Sequence, residues 1–183
     1  MAKSSDTFFL RGQVKCDTSS QLRSEQTIDL GAFVNLGSSK PQILRIHSIQ
    51  QQICDTDGLV PTVDASGASG ESRVAFLNSV ISTKATELST GDLPQLNLDE
   101  VIYTAAVNFS NGKNSVDNGS VSTGADIAPQ HLVNGILIGV DTLYLYAMAD
   151  NAFAEDVNVN FMLECSVEPA TRDNAIAIAL SQA

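Results

Sequence analysis

Alternation with a period of two is the dominant pattern of this chain. From Val157 to Val167 the residues Val157, Val159, Phe161, Leu163, Cys165 and Val167 are apolar, Asn158, Asn160, Glu164 and Ser166 lie between them, and only Met162 breaks the polar set. Successive side chains of a strand point to opposite faces, so this spacing predicts a half-buried strand with one wet face. The same rule predicts strands through Phe8, Leu10, Val14 and Cys16, through Ile28, Leu30, Ala32 and Val34, and through Val101, Tyr103, Ala105, Val107 and Phe109. Gly12 interrupts the first of these and marks a bulge or a close approach of another element.

Other segments carry mixed signals. Between Ile43 and Ile53, Leu44 and Ile46 follow one phase and Ile49 and Ile53 the other, which a bulge between them reconciles. Ile136-Leu137-Ile138-Gly139-Val140 is a continuous apolar run, predicting a strand covered on both sides, and Leu143-Tyr144-Leu145-Tyr146 continues it or begins the next. Residues 73–88 fit two periods. Val74, Leu77, Ile81, Ala85 and Leu88 form a helical stripe, whereas Val74, Phe76 and Val80 suit a strand; the stripe tips the reading towards helix. At the C-terminus Pro169 stops the preceding strand and Thr171 can cap a short apolar helix through Ala175, Ile176, Ile178, Ala179 and Leu180. A helix this short is unstable alone, so it must dock. Asp57-Gly58, Gly91-Asp92, Asn111-Gly112 and Asn118-Gly119 supply turns, Val116 to Val121 reads as a small hairpin, and the small polar stretch 61–72 reads as an exposed loop.

About eight strands punctuated by turns predict an all-β protein, an antiparallel β-sandwich of jelly-roll type with a short C-terminal helix. With no internal repeat and no linker, residues 1–183 are expected to form a single jelly-roll domain, with an N-terminal arm at 1–6 and the helix at 171–182.

Composition narrows the function. Among 183 residues, 43% are hydrophobic and 17% charged, enough apolar surface for a core. Acidic residues outnumber basic ones 21 to 10, for a net charge of -11, which disfavours a protein that wraps duplex phosphates. The charge is uneven. Residues 1–50 carry six basic groups (Lys3, Arg11, Lys15, Arg23, Lys40, Arg45) against four acidic ones (Asp6, Asp17, Glu25, Asp29), so the remainder carries -13. That division allows a less acidic face turned towards something anionic, or simply a patchy surface. No stretch reaches the roughly 18 apolar residues of a membrane span. Met1 to Asp6 lacks the apolar core of a secretory signal. Cys16, Cys54 and Cys165 are far apart and odd in number, which predicts buried free thiols in a reducing compartment.

Residues that could carry chemistry are sparse. His47 and His131 lack neighbours at metal-ligand spacing and are read as structural. Gly67-Ala68-Ser69-Gly70 falls short of a nucleophile elbow. Asp55-Thr56-Asp57-Gly58 resembles the start of a calcium loop, but Gly58 takes the third ligand position and no glutamate follows at the twelfth, so a polar turn is the simpler reading. The adjacent pairs Asp99-Glu100 and Glu155-Asp156 point to opposite strand faces and cannot form an acid/base couple. No catalytic residue, cofactor site or metal ligand is expected, and the chain is not expected to be an enzyme. Gln50-Gln51-Gln52 and the Asn-rich tract 108–118 suit hydrogen bonding across a packed surface, or a carbohydrate-binding face, though the chain has no Trp and only three Tyr.

The strand order, Leu44 to Ile53 followed by an Asp-Gly turn, and Val133 to Leu145 together resemble a virion shell protein. Size and acidity make the chain similar to the single jelly-roll major capsid proteins of tailless icosahedral, internally membraned double-stranded DNA viruses, including those of archaea. The resemblance implies a structural capsid subunit that self-assembles into capsomers, with the jelly roll upright on the shell. It implies as partners copies of itself, a second capsid protein and an internal membrane on the inner side, with no specific nucleic acid and no small-molecule substrate. It also implies residence in the virion after assembly in host cytoplasm. On this reading Phe8 and Phe9 of the N-terminal arm and Ile176 and Leu180 of the C-terminal helix are the candidate intersubunit or membrane-side contacts, and the loops around Gly58 to Gly70 and Asn111 to Gly124 face outwards. A carbohydrate- or ligand-binding β-sandwich is the alternative, and a hydrolase on a β scaffold would need His47 or His131 to meet a carboxylate and a nucleophile in a cleft.

Overall fold

The computed structural model describes residues 6–64, 73–111 and 119–182. Among them the strands are β1 (Phe8–Cys16), β2 (Ser24–Asp29), β3 (Gln42–Cys54), β4 (Arg73–Ser82), β5 (Val101–Asn111), β6 (Gly119–Ile127), β7 (Ile136–Ile138), β8 (Thr142–Ala149) and β9 (Val157–Pro169). A 3-10 turn at Pro129–His131 precedes β7, and helix α1 (Arg172–Gln182) follows β9. Two sheets result, one ordered β1-β9-β3-β7 and the other β2-β8-β4-β5-β6. Pairing is antiparallel and nested, with β1 against β9, β2 against β8, β3 against β7 and β4 against β5. A chain folded back on itself as one long double ribbon and then rolled into two sheets has this signature, which is the jelly roll. β6 lies outside that scheme and extends the second sheet at the edge of β5.

The alternation read from the sequence is the packing of these sheets. Val14, Phe161, Leu163, Ile46 and Ile49 face inwards from the first sheet, and Leu77, Ile81, Val107, Leu143 and Leu145 from the second, all of them buried. Each such side chain contributes roughly 1.5–3 kcal/mol relative to an exposed one. Gly12 is a close approach and not a bulge, because β1 runs in unbroken register with β9 while a Cβ at Gly12 would lie 2.4 Å from Leu145 Cδ1. The phase change in β3 is a bulge. Its register against β9 shifts between Ile46 and Ser48, with His47 as the additional residue, so Ile46 and Ile49 both reach the core.

Three expectations are corrected. Residues 73–82 are strand and not helix: Ala75, Leu77, Ser79 and Ile81 face the core while Val74, Phe76, Asn78 and Val80 line the outer face. Apolar residues on both faces of a strand had produced a helix-like spacing. The strand expected through Val34 ends at Asp29, where the Asp29 carboxylate accepts a hydrogen bond from Gly31 N at 2.8 Å and Phe33 N and Val34 N donate back to Leu30 O. The run at 136–140 gives only a three-residue strand at the edge of its sheet, although none of its residues is exposed. The apolar side chains there reflect burial under α1 and against β3. The hairpin expected at 116–121 and most of the loop at 61–72 lie outside the described residues, as do Met1 to Ser5 of the arm.

At the C-terminus Asn174 N donates to Thr171 Oγ1 at 3.3 Å, the cap read from the sequence. The three cysteines are free and buried. Burial pushes the thiols of Cys16 and Cys165 and the Tyr103 phenol each up to about 12. Unfolded chains release these protons from about pH 9 for Cys and 10 for Tyr, whereas the folded protein holds them to about 12. The unfolded state therefore binds fewer protons in this window, and stability, complete below pH 9, falls as pH rises towards 12. Urea midpoints at pH 8, 9.5 and 10.5 should fall in that order, and an aromatic thiol reagent at pH 8 should label all three cysteines only in denaturant. A flat midpoint series, or fast labelling of the native protein, contradicts this account.

Candidate functional site

The outer face of the first sheet is polar and ordered in rows. Arg11, Met162 and Gln50 face one another across β1, β9 and β3, and Gln13, Asn160 and Gln52 form the next row. The middle strand carries the shorter amide and the flanking strands the longer side chains, so an open trough of about 600 Å³ runs between them. Gln13 Nε2 donates to Asn160 Oδ1 at 2.8 Å. Phe9 and Lys15 extend the β1 row at either end. The glutamine triplet is split by strand alternation. Gln50 and Gln52 face the trough, while Gln51 faces the core and accepts hydrogen bonds from Ser79 Oγ and Tyr103 OH, each at 2.8 Å. It thus bridges the two sheets.

Further along the same face a ladder links β3 to β9. Arg45 makes a two-pronged contact with Glu168, Nε to Oε1 at 2.5 Å and Nη2 to Oε2 at 2.9 Å, and also donates to Asn134 O. Hydrogen bonding to the guanidinium holds the Glu168 carboxyl below its usual range and raises Arg45. Ser48 Oγ donates to Glu164 Oε2 at 2.9 Å. His47 Nε2 lies 2.8 Å from Ser166 Oγ. The histidine thus meets a hydroxyl, but that serine is buried on a sheet face, and among the described residues no carboxylate bonds to the ring. His131 is exposed in the 3-10 turn. A nucleophile activated by a base and its orienting carboxylate is not assembled at either histidine. At the Asp-Gly turn the Asp55 carboxylate accepts from Asp57 N at 2.9 Å and Leu59 N at 2.8 Å, so it caps a turn. Among the described residues no group of three His, Cys, Asp or Glu side chains is placed to hold a metal ion.

The second sheet carries a strap. Residues 83–100, joining β4 to β5, cross its outer face and form a small apolar cluster in which Leu93 and Leu98 pack on Val80, Val101, Tyr144 and Tyr146. Arg23 clamps the strap. Its main-chain N donates to Thr90 O at 2.7 Å, its Nη1 to Asp92 O at 2.7 Å and Ser89 O at 3.0 Å, and its guanidinium lies 5.3 Å from the centre of the Tyr146 ring. The Tyr146 hydroxyl accepts from Thr86 N at 2.9 Å. Beside the strap lies a groove of about 610 Å³ lined by Leu88, Asp92, Leu96, Ala106 and Met148. Val74 and Phe76 continue the apolar surface along β4, Phe76 being 49% exposed.

Of the four candidate contact residues, Phe8 stacks on Phe33 at 4.8 Å within the protomer, whereas Phe9, its neighbour on the opposite strand face, is 51% exposed. Ile176 and Leu180 of α1 are 43% and 73% exposed. The helix is held instead by Gln182. Its side-chain amide donates to Leu137 O at 2.7 Å and accepts from Gly139 N at 2.9 Å, and its carbonyl accepts from Thr83 Oγ1 at 3.1 Å. Gln130 acts similarly on β3, accepting from Ile49 N at 3.0 Å and donating to Ile49 O at 3.1 Å. Gln130 stands in for a neighbouring strand on β3 beyond the end of β7, and Gln182 does so along β7 itself, so both cover that sheet edge against further pairing. No local sequence pattern marks Gln130, Gln182 or the Arg23 clamp, whose partners lie far along the chain. Only the recurrence of Leu88, Leu93, Leu96 and Leu98 in a polar connection signalled the strap.

No family model and no curated protein matches this sequence. Among solved structures the chain is similar to New Jersey polyomavirus VP1 in its apo form, with a TM-score of 0.43 and 8% identity over 91% of this chain and 100% of that one. It is similar to Merkel cell polyomavirus VP1 in complex with disialyllactose, with a TM-score of 0.41 and 10% identity over 91% and 97% of the two chains. An unassembled Washington University polyomavirus VP1 pentamer gives a TM-score of 0.41 and 10% identity over 90% and 95%.

Proposed function

We propose that this protein is a structural virion subunit, a jelly roll that assembles with copies of itself into the capsomers of an icosahedral shell. One observation carries the reading: large apolar side chains stand exposed on both outer faces and at the C-terminal helix, among them Phe9, Phe76, Leu96, Ile176 and Leu180. Surfaces of this kind mark contacts with a partner, and a shell subunit offers them on several sides at once. Phe9, Ile176 and Leu180 are the side chains we assign to such contacts. A second capsid protein, an internal membrane on the inner side, and assembly in host cytoplasm belong to the same reading, as does a working role without catalysis. Light scattering and negative-stain imaging of the purified protein test it: uniform capsomers or closed particles are expected, and a monomer that persists at high concentration overturns it.

The amide-lined trough over β9 favours a second reading, a carbohydrate-binding sandwich. That reading expects a monomer that binds a defined glycan on an array and loses the binding in Gln50→Ala.

A further inference from the structure

Charge and apolar surface are distributed so that one outer face complements the other. On the first sheet the outward row of β1 reads Phe9, Arg11, Gln13 and Lys15, all exposed. Neither Arg11 nor Lys15 has an ionic or hydrogen-bonding partner among the described residues, although the chain as a whole carries -11. On the second sheet the strap carries Lys84 against Glu87, Asp92, Asp99 and Glu100, a net of -3. Arg23, a cation in contact with the strap, is already committed to strap carbonyls and the Tyr146 ring. Glu87 and Asp99 are exposed and have no ionic partner among the described residues. The groove beside the strap, lined by Leu88, Asp92, Leu96 and Met148, has a volume of about 610 Å³ and can receive an aromatic ring.

We propose that the outward row of β1 seats on the strap groove of the next copy of this chain, with Phe9 entering the groove beside Leu96 and Met148 while Arg11 and Lys15 face the strap carboxylates. The proposal rests on the shell reading and names its contact. An apolar anchor with opposite charges alongside it is an arrangement that gives an interface both affinity and register. The free cations on an otherwise acidic chain account for the orientation, since a copy presented strap to strap brings together two segments of net charge -3. The two surfaces lie on opposite sheets of one sandwich. Each copy therefore offers both halves, and the contact is head to tail: it closes into a ring or continues as a filament and does not stop at a two-fold dimer.

Sedimentation velocity on the full chain at low and at raised salt tests this. Wild type is expected to assemble beyond a dimer and to weaken as salt rises, because both sets of charges are exposed. Arg11→Glu and Glu87→Lys should each weaken association at least tenfold, and the double variant should recover it. Phe9→Ser should weaken it by a factor that is the same at low and raised salt. As a readout independent of charge, Phe9→Cys and Leu96→Cys chains mixed with an added thiol oxidant should give the mixed disulfide in preference to either homodimer. Particles that form equally well in both charge variants overturn the proposal and leave the shell reading standing. A wild-type two-fold dimer overturns the proposal as well, and a persistent monomer overturns both.

Discussion

Replacing Gly135 by alanine is expected to lower the melting temperature by roughly 6–12 °C, the equivalent of about 3 kcal/mol in a chain of this size. Gly135 has a φ of +64°, and a Cβ there would lie 2.2 Å from Ile46 O and 3.2 Å from His47 Cα. The obstructing atoms are backbone, at the bulge that rephases β3 against β9, so no side-chain rotation relieves them. Two costs combine: a positive φ in a residue with a Cβ, about 1 kcal/mol, and displacement of β7 from the strand it pairs with. Gly58 is the control. Its φ is +85°, but a Cβ there meets nothing within 4 Å, so Gly58→Ala should cost only the conformational part, a shift of about 2–4 °C. Equal shifts in the two variants, read by differential scanning fluorimetry, would show that the close approach to Ile46 contributes nothing.

Tyr146→Ala is expected to destabilise the protein by about 3–5 kcal/mol, the range for truncating a buried aromatic residue. Tyr146 is fully buried, yet it lies outside the sandwich core, on the outer face of β8 under the strap. Its loss removes the centre of the small cluster, the acceptor for Thr86 N and the ring under Arg23. Tyr146→Phe keeps the ring and removes only the acceptor, so a loss of about 1–3 kcal/mol is expected. The two variants also separate stability from assembly. If the strap groove receives a neighbouring copy, Tyr146→Ala should lose association even below its melting temperature, whereas Tyr146→Phe should retain it. Hydrogen exchange over residues 83–100 reports the strap directly, with faster exchange expected in Tyr146→Ala. Unchanged exchange there would mean that Arg23 and Leu93 suffice to hold the strap.

Strand alternation in β1, β5 and β9, the rephasing of β3, the Thr171 cap and the burial of the three thiols could all be read from the chain alone. Each is a local consequence of side-chain period or residue chemistry: a bulge must lie where the apolar phase changes, and an isolated thiol without a paired cysteine belongs in a core. Period fails in β4, because its outer residues Val74, Phe76 and Val80 are apolar as well, Val80 buried under the strap and the other two at the surface. Alternation also cannot see where pairing stops. Ile28 and Leu30 share a phase, yet the chain turns at Asp29, and the apolar run at 136–140 pairs with β3 through only three residues.

Only the tertiary structure decided which polar groups do structural work and which remain free. Gln51, Gln130 and Gln182 are chemically identical to Gln50 and Gln52, but three of them replace missing backbone or interlayer partners while the other two face the trough. Arg23 and Arg11 likewise have the same group, one spent on the strap and one without an ionic partner among the described residues. Phe8 and Phe9 differ only in strand parity, and so one stacks inside the protomer and the other stands at its surface. The reason is physical: side-chain period is a property of the local backbone, whereas hydrogen-bond satisfaction and charge pairing depend on which distant strands the jelly roll brings into reach.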